Sequence, residues 1–395
     1  MKQLIGAGLI FSALIGVQLS YGDYSPLSIH EEGYGLSLSL MGSRERGMGD
    51  AGMASLDGQG YYLPNASRTA YFERTSFNAT LESDLDWIQD HATSNRFVSY
   101  TVPNMATTVK TKNFGAFGAY YQQAYHRRFS LLFPASPNGV EQEYFAEGNQ
   151  SLLGLSYAYA PIPLFALGYS HSFVLGRDRF INSAKFRSGE LQNATTLEGD
   201  TLEWKHSGNY PTLSLTVHTH FVDAALAYST QSELTTTRER KISNLKTNPL
   251  ADTTRELPFS MAFGLAWKPS TQQTIAWDFL FQNWEDRGPL NPAYKTALGW
   301  ELRGSQNPFD RFRKRLTYRS GLGYEILYLN EIPEIYGTLG LGMPLGFRGH
   351  KMDLSMRYGH RSYAIYGFEA EDYLKISFSV IGVGNWGQPV RARRK

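Results

Sequence analysis

From about residue 74 onward the chain alternates in steps of two, and the alternation has an unusual sense. In 164–174, Phe165, Leu167, Tyr169, His171 and Phe173 face one way, and Ala166, Gly168, Ser170 and Ser172 the other. In 259–268, Phe259, Met261, Phe263, Leu265 and Trp267 oppose Ser260, Ala262, Gly264, Ala266 and Lys268. The stretches 316–326 and 351–358 repeat the pattern. Successive side chains on a strand point to opposite faces, so each segment has one bulky apolar face and one small or charged face. A soluble sandwich would bury the bulky face and wet the other. Here the other face is mostly Gly, Ala and Ser with single charges, which suits a crowded barrel interior. Tyr363/Tyr366, Trp284/Tyr294 and Trp267/Trp277 at strand ends suit aromatic girdles at two membrane interfaces. The reading is an all-β transmembrane antiparallel barrel.

Composition agrees with that reading and removes several others. The 395 residues include 55 aromatics (25 Tyr, 23 Phe and 7 Trp) and 38 Gly, with only 19% charged. No cysteine is present, which excludes disulfides, Cys-ligated zinc, thiol catalysis and a lipoprotein anchor. A net charge of +2 argues against a nucleic-acid partner. Residues 1–22 read as a secretory signal peptide: Lys2, an apolar stretch from Leu4 to Val17, then Ser20-Tyr21-Gly22 at the cleavage point. No later stretch holds 18 consecutive apolar residues, so any crossing must be made by strands.

The alternating segments number fourteen: 74–88, 94–111, 113–131, 148–160, 164–178, 201–219, 224–237, 255–267, 274–284, 293–303, 315–328, 333–345, 350–362 and 371–384. Short connections alternate with long ones at 132–147, 179–200, 238–254, 285–292 and 363–370, as when short turns face the periplasm and long loops the outside. Two places break the rule: 304–314 is long where a short turn belongs, and Leu329 to Ile332 is tight where a loop belongs. Residues 23–73 lack the alternation after Leu40 and are rich in small residues, which predicts an N-terminal plug ahead of a barrel at 74–386. The basic end, 387–395 with Arg391, Arg393, Arg394 and Lys395, reads as a solvated periplasmic tail.

Three features then resemble the FadL-like long-chain fatty-acid transporters of the bacterial outer membrane. Arg46-Gly47-Met48-Gly49-Asp50-Ala51-Gly52 with Leu63-Pro64-Asn65-Ala66-Ser67 is similar to that family's hatch, although the turn here is Pro-Asn-Ala in place of Asn-Pro-Ala. The stretch 256–286, from Leu257-Pro258 to Trp284, resembles its strand–turn–strand unit. The order of signal peptide, hatch and fourteen strands covers nearly the whole chain. The resemblance implies a plug carried by Gly47, Met48, Gly49, Gly52, Met53, Asn65 and Ala66, and a lateral opening at strand 3, where Gly115 and Gly118 fall. The ending 371–387 also resembles the PorV branch of that superfamily, whose members capture exported proteins.

Parity places Asp278, Glu301, Arg319, Glu325, Asp353 and Arg357 on the small-residue face, hence in the lumen, where they can pair or hold the plug. His218 and His220 share one strand face, yet the nearest carboxylate, Asp223, lies across the expected turn and no third His is close in sequence, so no metal or other cofactor is expected. The other His residues show no Ser/His/Asp context, and no enzyme is expected. Two functions remain. One is a passive channel for hydrophobic small molecules such as long-chain fatty acids, entered over Phe129, Leu131, Leu132, Phe133 and Phe145. The other is a permanently shut barrel in contact with outer-membrane lipid that binds an exported or periplasmic protein.

Overall fold

The computed structural model describes residues 25–56, 60–90, 94–133, 140–186, 196–242, 248–284, 290–307, 309–345, 349–365 and 368–384. The signal peptide, the basic tail and Tyr366 lie outside these residues. Fourteen antiparallel wall strands close on themselves: β1 (Thr75–Asp90), β2 (Ser94–Lys110), β3 (Ala116–Phe133), β4 (Val140–Ile162), β5 (Phe165–Phe186), β6 (Thr196–His218), β7 (Val222–Ser229 and Ser232–Ile242), β8 (Asn248–Leu257 and Phe259–Trp267), β9 (Gln273–Asn283), β10 (Ala293–Leu302), β11 (Thr317–Ile326), β12 (Pro333–Leu345), β13 (His350–Ile365) and β14 (Phe368–Gly384). β14 pairs with β1 and completes the ring. β7 and β8 are each interrupted once, β8 at Pro258, which has no N–H to give to a ladder.

The faces are arranged as the alternation requires. Leu167, Tyr169 and Phe173 on β5 point outward at 55%, 44% and 47% exposure, while Ala166, Ser170 and Ser172 are buried. β11 and β13 behave alike, with Leu322 and Tyr358 outside and Arg319 and Asp353 inside. A sheet with its large apolar groups outside is stable only against hydrocarbon, because water would leave that area unburied. No described helix is long and apolar enough to span a bilayer. The chain is therefore an outer-membrane β-barrel.

The structure differs from the sequence reading in two places, and agrees with it at a third. Most of the expected long loops at 132–147, 179–200 and 238–254 are strand: β3 to β8 run on beyond the apolar band as hairpins. Above hydrocarbon both faces are polar, so the alternation fades although the ladder continues. Trp284 and Tyr363 are buried inside the mouth, where Trp284 stacks on Tyr328 at 4.4 Å, and do not join an outer girdle. Trp267, Trp277 and Tyr294 do face outward. The tight Leu327–Ile332 turn has Asn330 and Glu331 at φ +53° and +52°, and it tucks Tyr328 and Leu329 into the lumen against the N-terminal segment.

Candidate functional site

Residues 25–56 and 60–72 lie in the lumen. They carry a short 3-10 turn (Pro26–Ile29), a two-residue strand (Leu36–Ser37), a one-turn helix α1 (Ser43–Arg46) and a second 3-10 turn (Ala66–Tyr71). Every residue of α1 is buried, including two arginines and a glutamate. Such burial is tolerable only if each charge finds a partner. Arg44 lies bidentate on Glu301 at 3.0 Å for both bonds, and Arg319 donates to Glu301 at 2.7 Å and to Asp353 at 2.6 Å. Arg68 and Arg44 hold Glu45 at 2.9 and 3.1 Å. Arg46 pairs with Glu82. Asp50 meets Lys295 at 2.5 Å and Arg357 at 2.8 Å, and Arg357 also pairs with Glu334.

The backbone of the plug is held as closely as its charges. Asp278 accepts the N–H groups of Gly52 (2.9 Å) and Met53 (2.8 Å). Gly49 sits at φ +72°, donates to Thr338 Oγ1 at 2.8 Å, and leaves no room for a side chain against the backbone of Leu322. Gly47 packs on Gly340, and Met48 on Gly299 and Gly321. Asn65 donates to Met53 O and Thr216 Oγ1, both at 2.9 Å, and Ala66 is buried where the second 3-10 turn begins. Six of the seven plug residues singled out in the sequence are thus brought against the wall, and the seventh, Ala66, is buried beside them.

All six lumen charges named from parity point inward, and five of them fall in two groups. Glu301, Arg319 and Asp353 form one chain; Arg357 meets Asp50, and Glu325 lies 3.5 Å from Lys295. Asp278 stands apart as an acceptor for plug amides. Glu82, Lys295, Glu334, Arg361 and Glu371 were not singled out, yet the same parity puts them on the inner face. Arg361 pairs with Glu334 at 2.6 Å and with Glu371 at 2.5 Å. Elsewhere His218 Nδ1 binds Asp223 at 2.7 Å and His220 packs on Phe221; no group of three metal ligands occurs among the described residues.

A cavity of ≈ 130 Å³ lies between plug and wall. Leu38, Leu40, Leu152, Leu257, Leu280 and Leu327 supply its apolar lining, and Lys295, Arg357 and Glu334 its charged margin. Ala124 and Tyr125 of β3 also line it, and there the wall is incomplete. β2 and β3 pair only from Asn104↔Gln122 down to Lys110↔Ala116. Beyond a bulge at Gln123–Tyr125, the free edge of β3 is taken by the N-terminal segment: Leu36 is registered with His126, Ser37 with Tyr125, and Leu38 N donates to Ala124 O at 2.8 Å. Gly115 (φ +81°) lies in the turn before β3, and Gly118 sits in the paired part opposite Thr108, so neither marks the separation. Pro103, one residue before the last paired position, is the signal that sequence reasoning passed over. Phe129 is buried with Ile88, and Leu131 packs partly on that pair, while Leu132 is exposed on β3 and Phe145 half-buried on β4; the side chain of Phe133 is outside the described set.

A closed fourteen-stranded wall, a lumen filled by an ion-paired plug and a seam beside an apolar cavity define a plugged outer-membrane barrel. The family model described as BamG matches residues 1–389, and the chain belongs to that family. Among solved structures it is similar to the toluene transporter TbuX of Ralstonia pickettii (14% identity, 88% of this chain and 99% of that one, TM-score 0.61). It is also similar to a FadL homologue of Pseudomonas aeruginosa (11%, 88% and 99%, 0.61) and to the Pseudomonas putida toluene transporter TodX (14%, 89% and 99%, 0.57). At these identities the likeness is one of fold. No curated protein matches the sequence.

Proposed function

We propose that this barrel is a passive channel for neutral hydrophobic small molecules, which enter at the outer mouth, rest in the lumen cavity and leave through the wall between β2 and β3. The observation that carries the reading is the ladder that stops at Asn104 and Gln122, beside a cavity lined by Ala124 and Tyr125. Cargo charge follows from the ion pairs. Lys295, Arg357 and Arg361 are each already held by carboxylates, so an acidic cargo would have to break a buried pair, whereas a hydrocarbon needs only the leucines. Cargo size follows from volume, since an apolar cavity of about 150 Å³ takes up benzene. The space favours a single aromatic ring over a long acyl chain, in keeping with the two neighbours described as toluene transporters.

The test is uptake of labelled toluene and labelled palmitate by liposomes holding the purified chain. Toluene uptake above that of empty liposomes supports the reading. Palmitate uptake alone would replace the cargo, and absence of both together with a co-purifying protein would favour the shut, protein-binding barrel.

A further inference from the structure

The 303–316 connection between β10 and β11 lies on the end of the barrel where the other turns are short. Its described residues, 303–307 and 309–316, are bonded to one another: Ser305 N donates to Lys314 O at 2.8 Å, Asp310 N to Asn307 O at 3.2 Å, and Phe309 N to Asn307 Oδ1 at 3.1 Å. It holds five cations against one carboxylate. That carboxylate, Asp310, is taken by Ser305, while Arg311, Arg313 and Lys314 are exposed and form no ion pair among the described residues. Phe309 is 91% and Phe312 55% exposed. A loop that served only to join two strands would gain nothing from rigid exposed rings.

Its height along the barrel identifies what meets it. Thr317 is registered with Gly342 on β12, and beyond that pair β12 continues to Leu345, which still faces outward at 39% exposure. Residues 314–316 are therefore level with the edge of the apolar band, where phospholipid headgroups begin. Other turns at this end, between β2 and β3 and between β6 and β7, also present exposed rings, Phe114 (71%) and Phe221 (65%). Cations beside aromatic rings at that depth match a surface of anionic phosphates over acyl chains.

We propose that the 303–316 loop is a docking element for anionic phospholipid headgroups of the periplasmic leaflet, with Arg311, Arg313 and Lys314 on the phosphates and Phe309 and Phe312 in the interface. This stands whether or not the barrel conducts. Because the chain has no cysteine, Phe309→Cys in the full chain can carry a single environment-sensitive fluorophore. In vesicles containing phosphatidylglycerol its emission shifts to the blue and it is reached by a lipid-phase quencher; in pure phosphatidylcholine it stays wet. Adding Arg311→Ser, Arg313→Ser and Lys314→Ser weakens retention of phosphatidylglycerol on the purified barrel about tenfold or more, as read by native mass spectrometry. These residues are exposed, so the barrel still folds, which its heat-modifiable gel mobility checks. A label that stays water-exposed in both vesicles, equal shifts in both, or shielding only by an added acidic polypeptide overturns the proposal, the last in favour of a protein partner.

Discussion

Arg44 of the plug and Glu301 of β10, 257 positions apart, share two 3.0 Å bonds inside the lumen, and Arg319 approaches the same carboxylate at 2.7 Å. One wall glutamate thus neutralises an arginine of the plug and an arginine of the next strand. Glu301→Gln keeps the shape and removes the charge, leaving Glu45 as counter-ion to Arg44 and Asp353 to Arg319. Breaking a buried pair from one side costs about 3–5 kcal/mol. The expected outcome is an intact barrel whose plug amides at 43–54 exchange faster with deuterium and whose ion leak in planar bilayers rises. Unchanged exchange and leak would show that Glu301 does not hold the plug.

Asp50 gives the pH dependence. Burial alone would push its carboxyl up, but Lys295 and Arg357 outweigh burial and hold it well below the usual carboxylate range. Glu45 is likewise lowered, burial being opposed by Arg68 and Arg44. A carboxylate with a depressed folded value stabilises fully above its unfolded pKa of about 4, and that contribution is lost as pH falls below it. Leak current should be flat from pH 8 to 5 and rise only in stronger acid. A midpoint between pH 5 and 8 would assign the plug's control to a different group.

Close backbone contact makes a separate prediction. At Gly49 an added methyl would lie 2.8 Å from the backbone N and O of Leu322, in a left-handed conformation. The conformation alone costs about 1–2 kcal/mol. Gly49→Ala should lower the melting temperature of the plugged state and raise leak. Gly337→Ala, whose methyl would meet nothing closer than 3.7 Å, serves as the control and should change neither. Equal behaviour of the two variants would mean that the plug shifts to make room.

How much was legible follows from which facts are periodic. Strand positions within the apolar band and the inward side of Arg319 or Asp353 come from a repeat of two, which survives in one sequence. The same parity contains Lys295 and Glu334. Partnership is different: nothing local ties Asp50 to Arg357, 307 residues on, because the register of twelve intervening hairpin connections decides it. The polar upper hairpins lost their alternation and read as loops. The seam was marked by Pro103, which removes one N–H, whereas Gly115 and Gly118 drew notice only through resemblance.

The seam supplies the strongest test of the channel. If cargo leaves between β2 and β3, the segment bonded to the free edge of β3 must move or bend, since Leu36 and Ser37 occupy it. Leu36 and His126 are registered partners, and directly opposed Cα atoms in antiparallel pairs lie about 4.5–5.5 Å apart, within disulfide range. In a chain without cysteine, Leu36→Cys with His126→Cys can form only that bond. Oxidised protein should take up no toluene into liposomes and reductant should restore uptake, while Leu36→Cys alone responds to neither. Because the bond joins groups already in contact, it adds no new obstruction to the lumen and reports only on movement. Uptake at the unmodified rate while oxidised would remove the N-terminal segment as a gate and turn the search to a path along the lumen itself.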